Sequence, residues 1–196
     1  MTGFTLYPEH LDRAAQAELA AMVLRAEAAA PRYRPVTPGG KAMSVRMTNF
    51  GSLGWVTDAA GYRYEPLHPL TGQPWPPIPP VLLEIWATLA DAGAPPDACL
   101  VNFYDVDAKM GLHQDRDEAD FNAPVLSVSL GDTALFRIGG TDRRDPTRSV
   151  RLASGDGCVL AGAARLAFHS VDRIHAGSSS LIPGGGRINL TLRRAR

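Results

Sequence analysis

The chain has 196 residues, of which 45% are hydrophobic, and its acidic and basic residues balance to a formal net charge of zero. This length and composition are typical of one globular domain with a sizeable core, and they argue against intrinsic disorder. Zero net charge excludes binding to a polyanion by overall charge alone, so a nucleic-acid partner would require local cationic patches.

The sequence gives no sign of export or membrane insertion. Its first residues, MTGFTLYPEHLDR, lack the basic and apolar segments of a signal peptide, and no apolar run reaches the 18 residues of a transmembrane helix. Cys99 and Cys158 lie far apart in apolar runs, which favours buried free thiols in a reducing compartment. We therefore expect a cytoplasmic protein that does not bind membranes.

The N-terminal half predicts two helices separated by an unusual segment. Apolar residues at helical spacing predict a first helix over residues 8–30, which Pro31 ends. Residues 36–78 are rich in Gly, Pro and aromatic residues, a composition of functional lids and disordered linkers, and the aromatic residues argue against disorder. A second helix is expected at about residues 79–92, opened by Pro79-Pro80.

The C-terminal half predicts short strands separated by glycine-containing turns. Such a pattern is typical of a β-sandwich or jelly roll. We therefore expect a mainly β fold with flanking helices, an α+β chain built around a jelly roll. The candidate strands are Cys99–Tyr104, Val125–Leu130, Ala134–Ile138, Ser149–Leu152, Cys158–Leu160, Leu166–His169 and Ile188–Leu192.

A metal-binding pattern occurs at His113-Gln114-Asp115. On a strand, residues two apart point to the same side, so both side chains would reach one ion. Two imidazoles and one carboxylate are the ligands of a facial Fe(II) site, which leaves positions open for oxygen chemistry. His169 is the favoured third ligand, and His175, expected in a turn, is the alternative. The alternative for His113 is an ordinary surface position, because HxD triplets also occur by chance. His68, which lies beside prolines, is expected to be solvated.

The segment from Arg187 to Arg193 alternates strictly between polar and apolar residues. Its polar face is either the outer face of an edge strand or the wall of a jelly-roll cavity. In a cavity, the two guanidinium groups would bind carboxylates bidentately. Asn102 and Tyr104 have the same two-residue spacing on an earlier strand and would add hydrogen bonds to the same ligand.

Taken together, these motifs resemble those of the AlkB-type dioxygenases. The resemblance runs from about residue 37 to the end of the chain and includes segments similar to that family's lid over the substrate base. The motifs are Met43 to Gly51, Leu53 to Trp55, Asn102 to Tyr104, His113 to Glu118, Ser127 to Gly131, His169 and Arg187 to Arg193.

The resemblance implies a double-stranded β-helix, a cupin-like jelly roll, that binds Fe(II) and 2-oxoglutarate and consumes O₂. We expect one domain over residues 1–196: an N-terminal helical segment (1–35), a nucleotide-recognition lid (36–78) and a helix plus catalytic core (79–196). By similarity, the metal ligands are His113, Asp115 and His169, which are catalytic together with Arg193, and the 2-oxoglutarate contacts are Asn102, Tyr104, Arg187, Asn189 and Arg193.

The implied activity is oxidative demethylation of nucleobases such as 1-methyladenine and 3-methylcytosine, with release of formaldehyde, succinate and CO₂. The implied partner is alkylated DNA, with RNA as a second candidate, and the target base must be single-stranded or flipped out of the duplex. The resemblance assigns Trp55, Tyr62 and Tyr64 to covering the base, Asp117 to its exocyclic amine and Arg143 to its surroundings.

Some alternatives stay open at this point. The lid aromatics could instead pack a small subdomain, and the enzyme could hydroxylate a protein or a small molecule. A non-catalytic jelly-roll binding module is disfavoured by the intact ligand set. Lys41 and Leu160 replace aromatic residues expected from the resemblance, which leaves substrate preference undetermined, and nothing requires more than a monomer.

Overall fold

Strands dominate the computed structural model, which describes residues 2–196. A short 3-10 turn at Gly162–Ala164 precedes the eleventh strand. In chain order the elements are β1 (Phe4–Tyr7), α1 (Arg13–Ala26), β2 (Arg46–Gly51), β3 (Gly54–Asp58), β4 (Gly61–Glu65), α2 (Pro80–Leu89), β5 (Ala98–Tyr104), β6 (Met110–His113), β7 (Val125–Gly131), β8 (Thr133–Ile138), β9 (Arg148–Leu152), β10 (Gly157–Leu160), β11 (His169–His175) and β12 (Arg187–Arg193).

The strands form two facing antiparallel sheets and a separate hairpin. The six-stranded sheet has the order β1-β10-β7-β12-β5-β2, the four-stranded sheet has the order β6-β11-β8-β9, and β3 pairs with β4 alone. Apolar side chains from both sheets meet in one cluster, including Leu100 and Val125 on one side and Phe136 and Val171 on the other. This arrangement confirms the predicted jelly roll with flanking helices.

The outer face of the six-stranded sheet is covered by both helices. Leu19 of α1 and Trp86 of α2 join a buried cluster with the apolar residues of β12, Ile188, Leu190 and Leu192. Because side chains alternate along a strand, the polar residues of β12 must then point toward the opposite sheet. Helix packing on one face therefore fixes which residues of β12 line the interior.

The first helix is shorter than predicted, and a strand precedes it. The Asp12 side chain accepts a 2.8 Å hydrogen bond from the Ala15 amide and so caps α1, which begins at Arg13 rather than residue 8. The residues before the cap are extended, and β1 pairs with β10 at the sheet edge. Helix α2 falls within its predicted range.

The strand predicted at Leu166–His169 was wrong in its bounds. The Ala167 amide forms a 3.0 Å turn hydrogen bond to the Ala164 carbonyl, and the Phe168 amide donates at 2.8 Å to the distant Gly140 carbonyl, outside any strand ladder. The strand that follows, β11, therefore begins at His169 and continues to His175, which had been expected in a turn.

The segment 36–78 is divided between the main sheet and the hairpin, and its three strands were not predicted. Strand β2 pairs with β5 and is an integral edge of the six-stranded sheet. His68, expected to be solvated, is 1% exposed. Its Nδ1 accepts hydrogen bonds from the amides of Leu70 and Thr71, and its ring packs between those of Tyr33 and Trp75. In the described part of the chain, neither helix is long and apolar enough to cross a membrane.

Candidate active site

A cavity of about 730 Å³ lies between the two sheets, and the β3–β4 hairpin forms part of its wall. The polar side chains of β12 and β5 line its inner end, and Trp55 and Tyr62 of the hairpin line its mouth. The residues of the predicted metal site, His113, Asp115 and His169, lie in the same wall. One cavity therefore collects most of the residues that the sequence singled out.

Strand pairing brings the two imidazoles of the predicted metal site together. His113 at the end of β6 lies directly opposite His169 at the start of β11, and their ring centroids are 4.4 Å apart. The Asp115 carboxylate oxygens lie 3.8 Å from His113 Nε2 and 3.9 Å from His169 Nε2. All three ligand atoms fall within 4.8 Å of one another. The expectation that Asp115 shares a strand with His113 was wrong, because β6 ends at His113 and Asp115 follows in a loop.

Backbone hydrogen bonds fix the tautomers of both histidines. His113 Nδ1 lies 2.7 Å from the Gly111 carbonyl, and His169 Nδ1 lies 2.9 Å from the Ala167 carbonyl. A carbonyl can only accept, so both Nδ1 atoms carry a proton and Nε2 is the atom of each ring that is left to bind a cation. Burial, with a further contribution from His113, lowers the pKa of His169 to about 4, which keeps this imidazole neutral at pH 7.

The third ligand is held as an anion. Burial by itself would raise the pKa of Asp115, but the Arg193 guanidinium and the two nearby imidazoles outweigh it and hold this pKa well below the usual range. Arg193 Nη2 lies 2.8 Å from Asp115 Oδ1. His175, the alternative third ligand, lies at the far end of β11 opposite Thr133 and is not part of the cluster.

The polar side of β12 faces the cavity. Because β12 lies between β5 and β7, the edge-strand interpretation of its polar face was wrong. Asn102 is directly opposite Asn189, and Tyr104 is directly opposite Arg187, so the two predicted groups of ligand-binding residues share one wall.

Arg187 is a buried cation that has no counterion among residues 2–196. It is 2% exposed and donates hydrogen bonds to the Leu152 carbonyl at 3.1 Å, Ser129 Oγ at 2.7 Å and Asn189 Oδ1 at 3.1 Å. No carboxylate of residues 2–196 lies within 4.0 Å of it, and burial lowers its pKa. Its Nε and the nearby Asn102 Oδ1 have no hydrogen-bond partner in the described chain. Because an unpaired buried charge is costly, this end of the cavity is suited to an anionic ligand.

The sequence and the fold have close relatives. Residues 3–193 match the protein-family model of the 2OG-Fe(II) oxygenase superfamily. The alpha-ketoglutarate-dependent dioxygenase AlkB homologue of Caulobacter vibrioides is 64% identical over 194 residues, 99% of this chain and 88% of that protein. AlkB of Escherichia coli is 46% identical over 169 residues, 84% of this chain and 78% of that protein. The solved structure of OsALKBH1 superposes with a TM-score of 0.83 at 31% identity, covering 98% of each chain.

The chain belongs to the AlkB family of Fe(II)/2-oxoglutarate-dependent dioxygenases. Its cofactor and co-substrates are accordingly Fe(II), 2-oxoglutarate and O₂. The observed donors fit them: two imidazoles and one carboxylate make a facial Fe(II) ligand set. The uncompensated Arg187 fits a carboxylate of the dicarboxylic acid, which guanidinium binds bidentately.

The mouth of this AlkB-family cavity carries aromatic and charged residues. The rings of Trp55 and Tyr62 are stacked, with centroids 5.6 Å apart and an interplanar angle of 18°. Trp55 Nε1 donates a 2.7 Å hydrogen bond to Asp117 Oδ2. Arg143 donates to the Leu112 carbonyl at 3.1 Å, and its guanidinium lies 5.6 Å from the Phe168 ring centroid.

Tyr64 differs from the sequence-based assignment. It lies opposite Trp55 near the base of the hairpin, is 8% exposed and packs against Leu53 and Ala98. Its hydroxyl donates a 2.5 Å hydrogen bond to Glu118 Oε1. The ring is therefore part of the hairpin's attachment to the core, and Tyr64 is not among the cavity-lining residues.

The two departures from the family pattern lie in different surroundings. Lys41 is exposed and does not line the cavity, although its neighbours Thr37 and Met43 do. Leu160 is 3% exposed and lines the inner apolar wall together with Val125. Leu160 is thus placed to influence the shape of the cavity, whereas Lys41 is exposed outside it.

Sequence reasoning assigned no role to two buried charged residues behind Asp115. Glu118 and Arg165 are 6% and 3% exposed and form an ion pair of 2.9 Å. The position of Glu118 within the metal-binding motif was the available signal for one of them. Nothing in the turn around Arg165 distinguishes it from a solvated arginine.

Proposed function

We propose that the protein removes alkyl groups from nucleobases such as 1-methyladenine and 3-methylcytosine by iron- and 2-oxoglutarate-dependent oxidation. The observation that carries this proposal is the shared cavity, which has a facial ligand set in its wall and a stacked aromatic pair at its mouth. The products would be the restored base, formaldehyde, succinate and CO₂. The names of the relatives support the substrate class. They include a nucleic acid dioxygenase of mouse that is 34% identical over 127 residues, 62% of this chain and 32% of that protein.

In this proposal, His113, Asp115 and His169 hold Fe(II) through two Nε2 atoms and a carboxylate oxygen. The hydrogen bonds from both Nδ1 atoms to backbone carbonyls orient the rings so that the Nε2 atoms face the metal before it arrives. When bound, iron and 2-oxoglutarate together supply the oxygen activation that oxidises the alkyl carbon.

The 2-oxoglutarate site is assigned to the inner end of the cavity. Arg187 would bind the carboxylate distant from iron, since it is the buried cation that has no carboxylate partner within residues 2–196 and whose Nε is unpaired. Asn102, Tyr104 and Asn189 share its wall and offer polar atoms to the same ligand. Arg193, already paired with Asp115, would contact the carboxylate next to iron while it orients that metal ligand.

The target base is assigned to the mouth. Trp55 and Tyr62 offer flat apolar faces, and stacking of a base on such a face is worth about 1–3 kcal/mol. Asp117 has one carboxylate oxygen bonded to Trp55 and a second one available to the exocyclic amine of adenine or cytosine. Because the cavity is a pocket between sheets, a base in a duplex must be flipped out to enter it. The β3–β4 hairpin is then the functional part of the nucleotide-recognition lid.

Cations at the mouth supply the local charge that the neutral chain requires for nucleic acid. Arg116 and Arg143 line the cavity, are exposed and have no carboxylate within 4.0 Å in the described chain. Each phosphate neutralised by such a residue adds to affinity and makes binding weaken with salt. We assign both arginines to the phosphates or base flanking the target. We further propose that the protein acts as a monomer.

The test is a reconstituted reaction. Apoprotein is loaded anaerobically with Fe(II) and 2-oxoglutarate, then given oxygen and an oligonucleotide carrying 1-methyladenine or 3-methylcytosine. Mass spectrometry is expected to show the loss of one CH₂ unit per methyl group, dependent on both iron and 2-oxoglutarate and absent with His113→Ala. Steady succinate formation without any mass loss would contradict the substrate assignment and indicate hydroxylation of a protein or small molecule instead.

A further inference from the structure

A buried ion pair lies directly behind the metal-binding loop. The side chains of Arg165 and Glu118 are 3% and 2% exposed, and Arg165 Nη2 donates a 2.9 Å hydrogen bond to Glu118 Oε2. Arg165 does not line the cavity, so its side chain does not contact a ligand bound there. Burying a guanidinium costs free energy unless its N–H donors are hydrogen-bonded, so the hydrogen-bond partners of Arg165 indicate its role.

Arg165 fastens an irregular segment at three points. Its Nη1 donates to the Asp115 carbonyl at 2.7 Å, its Nε donates to the Ala123 carbonyl at 2.7 Å, and its Nη2 binds Glu118 between them. The segment between β6 and β7 forms no strand of its own. Arg165 directly follows the 3-10 turn and lies 50 positions after Asp115 in the sequence. It thus supplies the cross-links that a sheet partner would otherwise provide.

Glu118 continues the same network to the opposite side of Asp115. Arg193 Nε lies 3.4 Å from Glu118 Oε1, and Arg193 Nη2 lies 2.8 Å from Asp115 Oδ1. The contacts therefore close into a ring: Asp115 carbonyl, Arg165, Glu118, Arg193 and Asp115 carboxylate. Asp115 is held at its backbone and at its side chain by two arginines that share one glutamate.

We propose that Arg165 is a positioning residue of the iron centre, acting through the Asp115 carbonyl and Glu118. This inference rests on the iron site of the proposed function. By holding the loop in place, Arg165 fixes the orientation of the Asp115 carboxylate. Through Glu118, it also fixes the position of the Arg193 guanidinium beside that carboxylate. Such supporting contacts typically change metal affinity or activity by about 10- to 100-fold when they are removed.

The experiment measures metal binding directly. Co(II) alone is titrated into apoprotein, because its visible absorption reports both affinity and ligand geometry without turnover. Arg165→Met is expected to raise the Co(II) dissociation constant by about 10- to 100-fold and to change the spectrum. Arg165→Lys, which keeps the charge but not the three-pronged contact, is expected to show a smaller shift in the same direction.

The matched control is Arg32→Met. Arg32 also pairs with a glutamate, Glu27, at 2.6 Å, but it stacks on Phe103, which belongs to the outer cluster under the helices. We expect this variant to bind Co(II) as the parent does, with the parent's spectrum. Thermal unfolding of each apoprotein establishes that the variants compared are folded at the titration temperature.

A folded Arg165→Met variant with the parent's affinity and spectrum would overturn the proposal. If Arg165→Met does not fold, Arg165→Lys and Glu118→Gln decide in its place, and the parent's affinity and spectrum in both would overturn it equally. Failure here leaves Co(II) binding by the parent intact, whereas failure of the proposed function appears as a parent enzyme that does not alter the methylated oligonucleotide.

Discussion

The two ends of the cavity are built in different ways. The inner end is formed by strands β5 and β12 in the middle of the six-stranded sheet, where Arg187 is 2% exposed. The mouth is formed by a two-stranded hairpin and by loops, and Tyr62 there is 51% exposed. The inner end is therefore fixed by sheet register, whereas the mouth lies outside the two main sheets and is more exposed.

This difference separates the chemistry from the choice of substrate. Strand register and helix packing leave little freedom in the 2-oxoglutarate site. Substitutions in that site should therefore reduce turnover of every nucleic-acid substrate equally. Surface loops and hairpins tolerate change and frequently carry specificity. Substitutions at the mouth should therefore alter which nucleic acid is used, with a smaller effect on 2-oxoglutarate.

The largest effect is expected from the metal site between the two ends. His113→Ala removes one of two imidazole ligands and should abolish iron binding and reduce succinate formation below detection. His175→Ala is the control, because His175 lies at the opposite end of β11 from His169. Metal content and succinate are measured together. Comparable loss in both variants would contradict the assignment of His169 as the second imidazole.

A large but partial effect is expected at the inner end. Arg187→Met would leave a 2-oxoglutarate carboxylate buried without its cation, at a cost of about 3 kcal/mol or more. The KM for 2-oxoglutarate should then rise roughly 100-fold, with a smaller rise for Arg187→Lys. Initial rates of succinate formation over a range of 2-oxoglutarate concentrations provide the measurement. An unchanged KM would show that Arg187 does not bind the co-substrate.

A smaller and more selective effect is expected at the mouth. Trp55→Ala should weaken oligonucleotide binding by about 1–3 kcal/mol, roughly 5- to 150-fold in KM, because a stacking face is lost. Trp55→Phe keeps a face but loses the hydrogen bond to Asp117, so its effect should be smaller. The KM values for the oligonucleotide and for 2-oxoglutarate are compared in each variant. Equal changes in both would contradict the division of the cavity.

The smallest effect concerns the accessibility of the inner end. Burial raises the pKa of the Cys158 thiol, which lines the cavity, to about 12, and the same holds for Cys99. Because the raised pKa keeps both thiols protonated at pH 8, iodoacetamide should alkylate them slowly in the native protein and rapidly in denaturant. Mass spectrometry of timed samples reports the two rates. Rapid native alkylation of Cys158 would indicate that the inner end is open to solvent.

The inner end was largely predictable from the sequence, because the pattern that indicates it lies within single strands. Strict alternation from Arg187 to Arg193 assigns four polar residues to one face of a strand. The interior orientation of that face required the structure, since an edge strand has the same pattern. Both cysteines, expected to be buried free thiols, are so in the structure.

The contacts that support the site were not predictable, because they join distant segments. Arg165 reaches Asp115 across 50 positions, and Tyr64 reaches Glu118 across 54. Alternation along β4 gives Tyr62 and Tyr64 the same side of the hairpin, but only the packing of Tyr64 on Leu53 explains why one lines the cavity and the other does not. Strand β2 was missed because Gly- and Pro-rich neighbours obscured it.

The most direct test of the whole account is the ratio of formaldehyde released to succinate formed with a methylated oligonucleotide. If the metal site, the 2-oxoglutarate site and the base-binding mouth form one centre, each succinate should accompany one formaldehyde, a ratio close to one. Omitting the oligonucleotide should abolish formaldehyde. Succinate formed with methylated oligonucleotide but without formaldehyde would contradict the account, because it would show that the base does not reach the iron.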